Sequence, residues 1–353
     1  MKLQKKTENV TLFGGISYFY FNRFHNFVIL LYCSLFVACD STDSTFPREE
    51  TIKQEIMPYQ SVACPIRIEV KHPFLVIQNF KMSDSMFHIY NLNNYELVNS
   101  FGTIGQGPGE FSGLVELLHT QFSDIYILDV NTNIIYPFSI NDEGQPISKS
   151  ARKANYKNYS IVNASFINDS LYVLEASHIA PSLYLLSLQD ELPVKTRQYR
   201  NSDISDPMED PDIGYVYANE SRIALCYAYK KQIDFMDIDL NLIRSVKFKY
   251  SPPAAIKLED LEDVKLSYIT GYLGKRYLYA LFLGVSMKEH EDMSFLGTYL
   301  EVFDLDGNPV VRYQLDGIGP INFVVDEETF TLYGAGEDGY PEDYLLVYKL
   351  KGL

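Results

Sequence analysis

The side chains that could do chemistry in this chain are mostly carboxylates, and they gather in three segments. Asp203, Asp206, Glu209, Asp210 and Asp212 form one group; Glu289, Glu291 and Asp292 a second; Glu337, Asp338, Glu342 and Asp343 a third. Such groups can hold Ca²⁺, which takes about six to eight oxygen ligands, or attract a cationic peptide. They also suit a solvated acidic rim that keeps a protein soluble, and with no EF-hand spacing present that plainer role is favoured. No cofactor is therefore expected, with Ca²⁺ the one ion these clusters would accept. His178 and His290 are of the type that serves as base or metal ligand. Neither His-Glu-x-x-His nor Gly-x-Ser-x-Gly occurs, so no catalytic residue is assigned. Gly105-x-Gly-x-Gly109 invites a phosphate-binding role, but it lacks the Lys-Ser/Thr of a P-loop, and Pro108 removes a backbone donor. A structural crossing with permissive glycines fits it better.

Composition narrows the partners. The 353 residues carry 30 Lys+Arg against 46 Asp+Glu, a net charge of −16, which argues against nucleic acid. At 46% hydrophobic the chain can build a large core. Its 28 Tyr and 22 Phe, with no Trp, favour strands. Cys64 and Cys226 have neither Cys-x-x-Cys nor zinc-ligand spacing and are expected as small buried hydrophobes rather than a disulfide.

Lys2, Lys5, Lys6 and Arg23 precede an apolar run, Phe27–Ala38, that stops at Cys39. Twelve residues make only about 18 Å of helix, too short for a bilayer, so the segment has the form of a secretory signal. Leu35-Phe-Val-Ala-Cys39 resembles the lipobox of bacterial lipoproteins, which implies lipid attachment at Cys39 and an outer-membrane location, on the periplasmic or the surface side. A plain secretory signal, or an uncleaved anchor drawing on Phe13–Phe24, is the alternative. Asp40-Ser-Thr-Asp-Ser-Thr-Phe-Pro47 is polar and Pro-terminated, as a tether should be. Its acidic start resembles surface-export signals of Bacteroidota lipoproteins. The repeated Asp-Ser-Thr resembles their O-glycosylation acceptor, or is simply a solvated linker. The expected organisation is a signal segment over 1–39, a flexible tether over 40–50 and one domain over 51–353.

That domain is repetitive. A short apolar strand recurs six times, ending at Leu92, Ile140, Leu188, Ile238, Leu305 and Leu350, at spacings of 48, 48, 50, 67 and 45. Val285–Thr298 reads as an insertion that lengthens the fourth interval. A second apolar strand precedes each copy, a further strand precedes that, and a less apolar strand follows all but the last. Asn93-Asn94, Asp142-Glu-Gly144 and Asp306-Gly307 supply hairpin turns. Four antiparallel strands repeating about every 50 residues predict an all-β fold, a six-bladed β-propeller of four-stranded blades. The sixth unit stops one strand short, so Thr51–Gln60 is expected to close the ring from the N-terminus. Lys257–Val264 has helical spacing and predicts a short helix. Asn99-Ser-Phe-Gly-Thr-Ile-Gly-Gln-Gly-Pro-Gly-Glu-Phe111 resembles the TolB-like six-bladed propeller lipoproteins of Bacteroidota, and Asp129–Tyr136 resembles an NHL-type blade.

Blade topology sends the second-to-third loops and the inter-blade crossings to one face, where the long loops are, and the short turns to the other. Binding is expected at the long-loop face, because long loops on a rigid scaffold usually carry it. The candidate residues are Gln106, Glu110, His178, Asp210, Asp212, Tyr215, Glu289, His290, Asp292, Phe295, Glu337, Asp338 and Tyr340. Tyr215, Phe295 and Tyr340 offer flat surfaces for stacking. The expected function is a monomeric, non-enzymatic, envelope-anchored module recognising a protein, peptide or glycan. The alternative is a metal-dependent hydrolase or lyase of the lactonase kind, which six-bladed propellers also carry.

Overall fold

The computed structural model describes residues 45–59, 64–79, 85–105, 107, 110–154, 161–176, 182–190, 192–206, 209–249, 255–289, 298–317, 319–336 and 344–353. All belong to one compact unit, Ser44–Leu353.

Strands of graded polarity stack outward from an axis. The second strands are deeply buried: Phe74–Asn79, Ile125–Asp129, Ile223–Tyr227 and Thr331–Ala335 are buried at every position. The outermost strands, such as Leu97–Phe101 and Leu242–Lys247, are largely exposed. Blade 1 runs Pro65–Lys71, Phe74–Asn79, Phe87–Asn91 and Leu97–Phe101. Blade 2 runs Val115–Leu118, Ile125–Asp129, Ile134–Ile140 and Pro146–Ser148, with Arg152–Lys153 also on its third strand. Blade 3 runs Ile161–Phe166, Leu171–Ala176, Ser182–Ser187 and Lys195–Gln198. Blade 4 runs Gly214–Ala218, Ile223–Tyr227, Gln232–Met236 and Leu242–Lys247. Blade 5 runs Tyr268–Leu273, Tyr277–Phe282, Tyr299–Asp304 and Pro309–Asp316. Blade 6 has Asn322–Asp326, Thr331–Ala335 and Tyr344–Lys349. Each first strand touches the first strands of the blades on either side, and blade 6 returns to blade 1, so the ring is complete. This is the predicted β-propeller.

Closure comes from Glu49–Pro58, and it does more than supply the missing strand. Gln54–Pro58 pairs antiparallel with Tyr348–Tyr344 of blade 6, while Glu49–Lys53 pairs parallel with Arg312–Asp316 of blade 5. One strand thus joins two blades into an eight-stranded sheet. Residues 46–50, expected as part of the tether, belong instead to the packed domain. Phe46 stacks on Phe248 at 5.8 Å and meets Phe303 edge-on, and Arg48 donates to the carbonyls of Lys351 and Gly352. Apolar burial draws these residues into the domain.

The core lies between blades rather than within them, with separate clusters joining blades 1 and 2, 2 and 3, 3 and 4, and 4 and 5. Short turns are held by Asx side chains. Asn168 and Asn219 cap first-to-second turns, and Asn141, Asp237 and Asp304 cap third-to-fourth turns, each accepting from backbone N–H groups ahead of it. Cys64 and Cys226 are buried thiols and are not joined in a disulfide. Leu258–Asp263 forms the short helix expected there, as a 3₁₀ turn.

Candidate functional site

Six first strands line the axis, and their polar residues divide it. Along Pro65–Lys71 the residues Arg67, Glu69 and Lys71 alternate with apolar ones, so all three lie on the strand face toward blade 2. Arg67 Nη2 donates to Glu116 Oε1 at 2.9 Å, and its Nη1 donates to Asn322 Oδ1 of blade 6 at 3.1 Å. Glu69 Oε1 lies 2.7 Å from His119 Nδ1, and Glu69 Oε2 lies 3.2 Å from Lys71 Nζ. Lys71 Nζ also donates to Thr120 O and Oγ1, at 2.6 and 3.0 Å.

Both buried partners have lowered pKa values, for different reasons. Burial raises the Glu69 pKa, but the charges of His119 and Lys71 outweigh it and hold the carboxyl below its usual value. At Lys71 burial dominates and lowers the pKa against the pull of Glu69. Both carboxylate oxygens of Glu69 are engaged, so the ionised form is the one this geometry supports.

Next to this network the channel is spanned. Gln121 Nε2 donates to Leu273 O at 2.8 Å and lies 3.1 Å from His119 Nε2. The His119 and Tyr272 rings are 4.5 Å apart. Blades 2 and 5 stand opposite one another in a ring of six, so these contacts cross the axis. They leave a chamber on each side of a waist, with Tyr272 in the wall of both.

On the long-loop side the chamber is about 210 Å³ and is walled by all six first strands. Its exposed wall residues, Arg67 and Ile321, sit at strand beginnings, which places its mouth toward the long loops. Tyr215 and Tyr217 contribute rings to it. Gly271 in the same wall has no room for a side chain: a Cβ there would lie 2.9 Å from the Tyr217 ring. The other chamber, about 330 Å³, is walled by first-to-second turns, including those at His72, Gln121–Ser123, Lys275 and Asp326–Glu328. Binding is expected from the sequence at the long-loop face, yet the short turns shape a chamber as well. First-to-second turns lie nearest the axis, so little length is needed for them to converge.

Of the residues expected at the rim, Tyr215 lines the long-loop chamber. The other described ones are engaged with neighbouring groups of the chain. Glu110 Oε2 accepts from Gly107 N at 2.6 Å, which makes the glycine-rich loop a self-capped crossing between blades. Asp210, 1% exposed, accepts from the backbone of Asn201 and Asp212, and burial raises its pKa. Asp212 pairs with Lys230 at 2.7 Å. Glu289 and Ser286 cap each other's backbone reciprocally. Cys39, Gln106, His178, His290, Asp292, Phe295, Glu337, Asp338 and Tyr340 lie outside the described residues. Among the described residues no group of three or more His, Cys, Asp or Glu is arranged to hold a metal ion. None of their helices is long and apolar enough to cross a membrane.

Sequence reasoning missed the waist. Its signal was the run Arg67-x-Glu69-x-Lys71, three charges at period two in a strand that must lie innermost.

No curated protein matches the sequence. Two solved structures share the architecture. One is a Bacteroides fragilis protein assigned as exported, 10% identical, with a TM-score of 0.52 over 85% of this chain and 98% of that one. The other is a member of the DUF4221 family from Bacteroides vulgatus, 16% identical, with a TM-score of 0.54 over 88% of this chain and 99% of that one. At such identities the likeness is one of fold. The model of the TolB-like 6-blade propeller-like family matches residues 45–328, from the packed Phe46 segment into blade 6, and the chain belongs to that family.

Proposed function

We propose that the protein is an envelope-anchored recognition module, tethered by lipid at Cys39, that takes a group of a protein, peptide or glycan into its long-loop chamber. The observation that carries this reading is the blind shape of that chamber. The waist at His119, Gln121 and Tyr272 closes its floor, and Arg67, Glu116 and Asn322 place charge and amide groups on its wall beside the Tyr215 ring. A rigid concave wall with a few fixed polar groups and an aromatic face is the usual form of a binding site. A volume of about 210 Å³ suits one side chain or one sugar ring of a larger partner.

Crosslinking of the membrane-anchored protein to its native partner, with mapping of the attached residues, tests this function. Crosslinks are expected around the long-loop mouth, and Tyr215→Ala should weaken partner binding about tenfold, or ~1.4 kcal/mol. Crosslinks confined to the turns Asn93–Tyr95, Asp142–Gln145 and Asp306–Asn308 would place the partner on the other face and overturn it.

A further inference from the structure

The short-turn chamber has a different chemistry, and its free hydrogen-bonding capacity lies with donors. The two more buried of its three acids, Asp326 and Glu327, are already satisfied. Asp326 accepts from His72 Nε2 at 2.7 Å, from Glu328 N at 2.9 Å and from Thr329 Oγ1 at 2.5 Å. Glu327 accepts from the backbone of Arg276 and Tyr277 and from the Tyr279 hydroxyl. Glu328, with its side chain 76% exposed, stands at the solvent edge of the chamber with Oε2 3.8 Å from His72 Nε2. Lys71 is also saturated, its three ammonium hydrogens facing Thr120 O, Thr120 Oγ1 and Glu69.

Lys275 is the exception. It sits in the exposed turn between the first two strands of blade 5, lines the chamber, and has no acidic partner among the described residues. It is near enough to Lys71 for the two ammonium groups to repel. Lys71 has Glu69 as its counter-charge, and Lys275 lacks an equivalent. The remaining wall carries Val70, Phe74, Phe122 and Ile140, an apolar surface against which a ligand body can pack.

We propose that the short-turn chamber is a second ligand site, selective for a small carboxylate with an apolar or aromatic body, whose charge Lys275 receives. A carboxylate there gains a charge-assisted hydrogen bond. An amide of the same shape keeps the packing and forfeits the charge. The site is independent of the long-loop chamber and does not rest on the function proposed for it.

Calorimetric titration of the protein from Cys39 onward with benzoate, with its neutral isostere benzamide and with inorganic phosphate tests the proposal. Benzoate should bind at least tenfold tighter than benzamide. Lys275→Ala should remove that advantage with the melting temperature unchanged, and Lys275→Arg should keep it. Tyr215→Ala should leave benzoate binding intact, which separates this site from the long-loop one. Equal binding of benzoate and benzamide, undiminished binding in Lys275→Ala, tighter binding of phosphate than of benzoate, or no benzoate binding would each overturn it.

Discussion

Glu69 and Glu175 are both buried glutamates facing a cation, yet their protonation equilibria move in opposite directions. Glu69, at the waist, has Lys71 on one oxygen and His119 on the other, and its pKa is lowered. Glu175, at the end of the second strand of blade 3, receives both the Tyr199 hydroxyl and Arg200 Nη2 on Oε1. Its Oε2 is buried with no hydrogen-bond partner among the described residues. Burial therefore wins, and the Glu175 pKa is raised despite the adjacent guanidinium. Presence of a counter-charge does not decide whether a buried carboxyl stays ionised. At Glu69 two cations, His119 and Lys71, oppose burial, whereas Glu175 has Arg200 alone and one oxygen without a partner among the described residues.

The largest effect should come from breaking the waist. Glu69→Ala leaves Lys71 buried without a counter-charge and should cost about 3–5 kcal/mol, a fall of roughly 10 °C in Tm. A Tm within about 2 °C of the parent would mean the network contributes little to stability.

A second, smaller effect distinguishes the two acids by pH. A lowered folded-state pKa contributes stability above the unfolded value that is lost as pH falls through the folded one. Glu69 and Asp326, whose pKa values both lie below the usual 4.5 and 3.8, should therefore make urea midpoints fall with acidification below about pH 4.5. Asp326 is held there by Thr329 and His72 against the opposing effect of burial. Glu175 has the opposite sign: its contribution is present below its unfolded value and is lost as pH rises through the raised one. Glu69→Gln should flatten the acid limb, and an unchanged limb would remove Glu69 from this role.

Glu175→Gln should have the smallest effect, about 1–2 kcal/mol at neutral pH, since burial already disfavours the charge it removes. A loss equal to that of Glu69→Ala would erase the distinction between the two sites.

The two chambers extend the contrast. Loop length marked the long-loop face as the place for a site, and Tyr215 does lie in the wall of the chamber on that side. The larger chamber, of about 330 Å³, is nevertheless built from first-to-second turns. Distance from the axis matters as much as length, and a turn joining the two innermost strands needs few residues to reach the centre.

Local rules carried the architecture into the sequence. Six apolar strands near 50-residue spacing, Asx residues at the turns and a sixth unit one strand short specify the blades and their closure, because periodicity and turn chemistry act over neighbouring residues. The same locality made Cys64 and Cys226 legible as core residues. Tertiary structure alone decided that Glu49–Lys53 also pairs with blade 5, and that His119 and Gln121 meet Tyr272 and Leu273 across the axis. Those partners stand about 150 residues apart in sequence, Gln121 and Leu273 being separated by 152. No repeat pattern encodes their meeting, because only closure of the ring sets blade 2 opposite blade 5.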